Sequence, residues 1–275
     1  MRPSEGAREV EARAFSYDAG AVQRRVSRAI AVEAPVEIVV GGSPYAVMMA
    51  TPLDLEDFAY GFVFTEGIAA RLEDIRGVEV AQVSEGWRIG VALTGEKLKA
   101  HLARRRAMSG RTGCGLCGIE DLAQLPSSPP RVTARPPLAP AAFGAALAEL
   151  ERRQPLNELT RAVHGAAWCS RDGAIVLIRE DVGRHNALDK AIGALRRART
   201  GAGSGFFLIT SRCSFEMVVK AALFGADTLV SLSAPTSLAL ERARECGVTV
   251  VAVARSDGAL SFEPAHDGAS GGIAA

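Results

Sequence analysis

The sequence predicts an α/β protein, and three observations carry the prediction. In the second half, apolar runs at residues 206–210, 227–231 and 249–254 alternate with helical segments at 214–224 and 236–246. That is the order of consecutive parallel βαβ units. Ahead of them, 161–170 and 174–179 read as strands joined by the turn Arg171-Asp172-Gly173. In the first half, Val36, Ile38 and Val40 sit at strand spacing before Gly41-Gly42-Ser43-Pro44, and 45–50 continues as a second strand of a hairpin.

Taken in order, residues 1–28 are polar and poorly patterned, and are expected to form a tail or an edge strand. After the hairpin comes a helix. Thr51 is a suitable N-cap, Pro52 fits the first helical position and Asp54 is acidic in the first turn. Leu55, Phe58, Ala59, Phe62 and Val63 form one apolar face, and Gly67 is placed to end the helix. Strands are expected at 78–83 and 87–93, then a basic helix at 94–106. Pro126-Ser127-Ser128-Pro129-Pro130 and Pro136-Pro137 mark a linker. A helix at 139–153, the second hairpin and a helix at 184–197 then lead into the parallel part. The resulting order, α-β-β-α-β-α-β-α-β, fits a C-terminal cytidine-deaminase-like three-layer α/β domain better than a Rossmann domain, because a hairpin precedes the parallel strands. The expected division is an N-terminal tail at 1–28, a small α+β domain at 29–111, a cysteine loop and Pro-rich linker at 112–137, and the deaminase-like domain at 138–275.

The 275 residues suit one large or two modest domains. With 48% hydrophobic residues, 23% charged residues and a formal net charge of +1, nothing draws the whole chain to nucleic acid or a membrane. No apolar run approaches the ~18 residues of a membrane span. The first residues are charged rather than apolar, unlike a signal peptide. A reducing cytoplasm is the expectation, and it suits free thiols.

Chemistry concentrates in Thr112-Gly113-Cys114-Gly115-Leu116-Cys117-Gly118. A glycine stands before, between and after the two cysteines, leaving the backbone little preferred shape. Arg104, Arg105, Arg106 and Arg111 lie just upstream, and nearby positive charge favours the reactive thiolate. A structural zinc site would need two further ligands, yet Cys169, Cys213 and Cys246 stand singly and the four histidines form no pair. A thioredoxin-like motif would open a βαβ unit, whereas Pro-rich sequence follows this one. Zinc deaminase chemistry is absent with its H-x-E and P-C-x-x-C signatures. A reactive thiol arm is favoured, with zinc and redox readings left open.

In open parallel sheets ligands bind beyond the carboxyl ends of strands. Three such ends are Ser211-Arg212-Cys213-Ser214, Ser233-Ala234-Pro235-Thr236-Ser237 and Arg255-Ser256-Asp257-Gly258. They combine hydroxyls, arginines and helix N-termini, which suits a phosphorylated ligand, although each serine is also an ordinary N-cap. Asp181-Val182-Gly183-Arg184-His185-Asn186 is the densest polar run of this half. It reads either as a polar ligand site, with His164 and Trp168 on the same edge, or as a well-capped helix start.

The cysteine loop, Phe64-Thr65-Glu66-Gly67-Ile68, Asp181-Val182-Gly183-Arg184-His185-Asn186-Ala187-Leu188-Asp189-Lys190, Ser211-Arg212-Cys213-Ser214-Phe215-Glu216-Met217-Val218 and Ser233-Ala234-Pro235-Thr236-Ser237 together resemble the FdhD/NarQ family of formate dehydrogenase accessory sulfurtransferases. The resemblance spans about residues 25–262. It implies that a cysteine desulfurase passes sulfur to Cys114 as a persulfide, that Cys117 assists or relays, and that the sulfur reaches a bis-guanylated molybdenum cofactor, Mo-bis(molybdopterin guanine dinucleotide), destined for the formate dehydrogenase catalytic subunit. It implies a homodimer; the ligand count, the net charge and the short apolar runs separately lead to the expectation of no structural metal and no nucleic-acid or membrane partner. The family's cofactor-binding stretch falls on Val253, Ala254, Arg255, Ser256, Asp257 and Gly258. There the family usually has Arg/Lys-x-Gly-Arg, and this chain lacks the second basic residue. A non-catalytic chaperone for the cofactor and a thiol-disulfide oxidoreductase are the competing functions.

Overall fold

The structure, a computed structural model, describes residues 6–17, 24–107 and 131–264, without the side chains of 103–107. In chain order it contains β1 (Ala7–Ala14), β2 (Arg24–Ala31), β3 (Ala34–Val40), β4 (Ser43–Ala50), α1 (Leu55–Thr65), β5 (Ile75–Val83), β6 (Gly86–Leu93) and α2 (Gly95–Ala107). Then follow α3 (Pro140–Leu150), α4 (Pro155–Thr160), β7 (His164–Ser170), β8 (Ile175–Asp181), α5 (Arg184–Arg197) and β9 (Gly205–Ile209). The last elements are α6 (Phe215–Phe224), β10 (Thr228–Ser231), α7 (Ser237–Cys246), β11 (Thr249–Arg255) and β12 (Gly258–Phe262). Mixed helices and strands make it α/β, as the sequence predicts.

The described residues form two compact units that are discontinuous in sequence. One comprises residues up to 107 with Leu150–Ala166 and Ile178–Arg199; the other comprises 131–149, Ala167–Leu177 and 200–264. The chain passes between them within β7 and β8. The sequence predicts contiguous domains, with all of 138–275 in one. Helix packing explains the difference, because α5 lies along α1 and joins the first unit.

In the first unit, β4-β3-β6-β5 form a four-stranded sheet, with β3 and β6 parallel and the outer pairs antiparallel. Val36, Ile38 and Val40 of β3 and Ile89 and Val91 of β6 pack with Phe58, Phe62 and Val63 of α1. Each fully buried phenylalanine contributes roughly 1.5–3 kcal/mol of hydrophobic stabilisation. The crossing of α1 and α5 needs glycine. A Cβ on Gly61 would lie 1.7 Å from the Asp189 carbonyl oxygen, and one on Gly193 would lie 1.8 Å from that of Asp57. β1 and β2 pair as an antiparallel ribbon, where the sequence suggested a tail or one edge strand.

The start of α1 differs from the expectation. The helix begins after Asp54, whose φ of 53° is left-handed, and Thr51 does not cap it. Thr51 is buried; its amide donates to Asp181 Oδ2 at 3.0 Å and its Oγ1 accepts from the Val182 amide at 3.2 Å. The hydroxyl oxygen that a cap would use is thus taken by the Val182 amide, while the buried Asp181 carboxylate holds the Thr51 amide.

The second unit holds the strand order β12-β11-β10-β9-β7-β8. β9, β10 and β11 are parallel, and β12 returns antiparallel on the edge. β9 is buried throughout, as a parallel strand covered on both faces should be. Trp168 packs edge-on against Phe207 and Phe224, with centroids 4.7 and 5.2 Å away, and its indole donates to Ser204 Oγ. It therefore belongs to a core, not to the ligand edge suggested for it.

Candidate functional site

Helices α6 and α7 run back from the carboxyl ends of β9 and β10 to the amino ends of β10 and β11, so the second unit has two chemically distinct edges. At the carboxyl edge, the three strand ends named from sequence come together. Residues Cys213 and Pro235 form a parallel bridge. The Cys213 amide donates to Ala234 O at 3.3 Å, and the Thr236 amide donates to Cys213 O at 3.0 Å. Buried Ser231 donates from Oγ to Ser211 O at 2.8 Å and tightens the same seam. The Val253 amide donates to Ser233 O at 3.3 Å, and Arg255 Nη1 donates to the carbonyls of Leu232 and Ala254. Thr236 caps α7 by accepting from the Ala239 amide at 3.3 Å, whereas Ser214 makes no side-chain cap on α6 and lies 3.4 Å from Glu216 Oε2. Uncapped N-terminal amides and the exposed Arg212 give this edge positive character.

Within the stretch Val253 to Gly258, β11 ends at Arg255, and Ser256 and Asp257 make a turn. β12 follows it, and a bulge lies between Ala252 and Arg255. Val253 holds φ at 54°, a left-handed conformation for a β-branched residue, at a cost of roughly 1–2 kcal/mol. Arg255, Ser256, Asp257 and Gly258 are exposed while Ala254 is buried. The Asp257-Gly258 pair is the hairpin signal that should have disclosed β12.

At the opposite edge, residues that follow the cysteine loop in sequence are anchored to helix ends. The Val132 amide donates to Cys246 O at 2.8 Å, Arg131 Nη1 to Arg244 O at 3.3 Å and Arg135 Nη1 to Gly225 O at 3.1 Å. Cationic side chains on the negative ends of α6 and α7 are favourable.

In the first unit, the run from Asp181 to Asn186 is chiefly structural. Asp181 and Lys190 are both fully buried and pair at 2.6 Å. Lys190 Nζ also donates to Thr51 O at 2.8 Å. Asp181 Oδ1 accepts from the Gly183 amide at 2.7 Å and from Asn186 Nδ2 at 3.0 Å, and Asn186 Nδ2 also reaches Met49 O at 2.9 Å. Burial pulls the Lys190 ammonium below its ordinary range, against the Asp181 charge. Thr65 Oγ1 donates to Asp189 Oδ1 at 2.8 Å and ties the stretch after Phe64 to α5. Asp181 and Asn186 are buried, whereas Val182, Gly183, Arg184 and His185 between them are partly exposed. Burial, with Arg184 and His185 nearby, pushes the His164 imidazole below its usual value of 6.5 despite Asp181.

Cys114 and Cys117 lie outside the described residues. The other three cysteines are fully buried. Burial pushes the Cys213 thiol up to about 12 and also raises that of Cys246, where Glu245 adds to it. Among the described residues, no cluster of three His, Cys, Asp or Glu is placed to hold a metal ion, and no helix is long and apolar enough to cross a membrane.

The FdhD/NarQ family model matches residues 31–266. The chain belongs to the FdhD/NarQ family. It is 46% identical over 228 residues to the sulfur carrier protein FdhD of Variovorax paradoxus, covering 83% of this chain and 82% of that one. It is 42% identical over 252 residues to the protein of that name from Xanthomonas oryzae pv. oryzae, covering 88% and 90%. A crystal structure described as that of a formate dehydrogenase accessory protein from Desulfotalea psychrophila superposes with a TM-score of 0.72 at 26% identity, covering 93% of this chain and 96% of that one. The FdhD/NarQ motifs thus sort by role in this fold: those around Thr65 and Asp181 build the first unit, and those around Cys213 and Pro235 build the carboxyl edge of the second.

Proposed function

We propose that this chain is a sulfur carrier whose persulfide forms on Cys114. The observation that carries the reading is the state of the other described thiols. Cys169, Cys213 and Cys246 are completely buried, and a thiol held near 12, as Cys213 is, supplies almost no thiolate at neutral pH. Sulfur chemistry in a member of this family then falls to Cys114 and Cys117. The Cys114 thiolate attacks the outer sulfur of a persulfide on a cysteine desulfurase. The donor's S–S bond breaks, its thiolate leaves, and Cys114 carries the outer sulfur. Arginines 104–106 and 111, close in sequence, favour the thiolate. Cys117 assists or relays.

The acceptor in this reading is the bis-guanylated molybdenum cofactor, handled as a substrate before it enters the formate dehydrogenase catalytic subunit. Its phosphates suit the carboxyl edge of the second unit, where α6 offers amides with no side-chain cap and Arg212 and Arg255 supply guanidinium donors. Val253, Ala254, Arg255, Ser256, Asp257 and Gly258 are the cofactor-binding stretch, with Arg255 its one cation. From Cys117 to the anchored Arg131 is 131 − 117 = 14 residues. Covalent geometry lets such a segment span up to ~50 Å, against roughly 17 Å for a five-residue strand. Chain length therefore permits the thiols to serve either edge. The donor is a cysteine desulfurase and the working form a homodimer in the cytoplasm.

The test is restoration of formate dehydrogenase activity in cells lacking the native accessory protein. Cys114→Ala is expected to restore less than a hundredth of the wild-type activity while still binding the cofactor. Full restoration by that variant would instead identify a cofactor chaperone with dispensable thiols.

A further inference from the structure

The Asp181–Lys190 network leaves a neighbouring cation without a counterion. Arg184 is the first residue of α5, and among the described residues its guanidinium makes no hydrogen bond and no ion pair. Its Nε is shut off from solvent and has no acceptor. A desolvated guanidinium N–H without an acceptor is costly, because nothing replaces the water it has lost. The nearby carboxylate is committed elsewhere. Asp181 accepts from the Thr51 and Gly183 amides and from Asn186 Nδ2, and its charge is paired with Lys190.

Two imidazoles stand with this arginine. His185 follows it on α5, and His164 opens β7 close enough for the charges of Arg184 and His185 to act on it. All three side chains are partly exposed, so a solute can reach them. His164, held below 6.5, is neutral near pH 7 and brings an N–H donor without another charge. The helix adds to the group. α5 runs for 14 residues, and its N-cap, Gly183, has no side chain to cover the first amides. These residues all belong to the first unit, whereas the strand ends with Arg212 and Arg255 belong to the second.

We propose that Arg184, His185 and His164, at the start of α5, form a second binding site, one for a phosphoryl group. The guanidinium fork matches two oxygens of a phosphate, imidazole N–H groups supply single donors, and a helix N-terminus favours the negative charge. A carboxylate would be satisfied by the guanidinium alone. Three donor side chains and a helix terminus suit the three terminal oxygens of a phosphoryl group. The site is additional to the carboxyl edge of the second unit and does not depend on which thiol carries sulfur.

The chain has only four histidines, which makes the site readable by NMR. Imidazole resonances of the full-length protein, assigned through bonds to the backbone, are followed during titration with inorganic phosphate, with chloride at matched ionic strength as the blank. His164 and His185 are expected to shift saturably, while buried His101 follows the chloride blank. Arg184→Gln should weaken the binding at least tenfold, and Arg212→Gln, at the carboxyl edge, should leave it within twofold of wild type. A parallel titration with guanosine monophosphate separates the sources of the phosphoryl group: binding at least tenfold tighter than that of phosphate assigns the site to a nucleotide, and equal binding assigns it to free phosphate. Shifts that chloride reproduces, that do not saturate, or that persist in a folded Arg184→Gln variant would overturn the proposal. If that variant does not fold, the wild-type pattern over His164, His185 and His101 decides on its own.

Discussion

At the residue scale, the Asp181–Lys190 pair shows how the first unit keeps two full charges without water. Asp181 accepts from Thr51, Gly183 and Asn186 as well as Lys190, so neither oxygen of its carboxylate is left bare. Removing the cation alone should be far more harmful than removing both charges. Lys190→Met is expected to destabilise the protein by about 3–5 kcal/mol in denaturant unfolding, and adding Asp181→Asn should recover part of that loss. A change below about 1 kcal/mol for Lys190→Met would mean the pair is not desolvated as described. His164 gives a pH signature. Its pKa is lowered on folding, so the unfolded chain takes up the proton first as pH falls. The neutral imidazole's contribution is intact above 6.5 and is lost as pH drops below that value. Melting temperature should therefore fall more steeply below that pH in the wild type than in His164→Gln. Parallel curves would contradict the assignment.

At the scale of elements, the crossing of α1 and α5 decides how the chain divides. Gly193→Ala should raise intrinsic helix propensity by up to ~1 kcal/mol. The 1.8 Å approach to Asp57 O overrides that, because the clash is with backbone and not with a yielding side chain. A net loss of about 2–4 kcal/mol is expected, read as a lower melting temperature; a rise would show the helices to be further apart. This contact is also where the sequence was least legible. The apolar spacing of Leu55, Phe58, Phe62 and Val63 disclosed α1, and the βαβ order disclosed β9 to β11, because periodicity records which face is buried. Periodicity does not record which helix covers it, so the pairing of α5 with α1 stayed hidden. The ribbon was missed because both its faces are exposed and no alternation marks it. Thr51 looked like a cap because the buried Asp181 that claims it lies 130 residues away. For the candidate site, the three strand-end loops are legible in their hydroxyls and arginines, whereas the strand β12 that follows Arg255 is not among the expected elements despite the Asp-Gly pair that opens it.

At the scale of the whole molecule, a net charge of +1 hides a division of labour. Three of five cysteines are sequestered in cores, arginines 131 and 135 anchor the segment that follows the cysteine loop, and Arg212 and Arg255 stand at the carboxyl ends of the parallel strands. The central claim is that Cys114 is the thiol that takes the sulfur from the donor. Mass spectrometry of the purified protein after incubation with a cysteine desulfurase and cysteine tests it most directly. The account predicts a gain of one sulfur, the mass difference that separates a thiol from a persulfide, on the peptide holding Cys114. That gain should be reversed by reductant and absent from Cys114→Ala. Sulfur on Cys213 or Cys246, or none on any cysteine beside an active desulfurase, would contradict it.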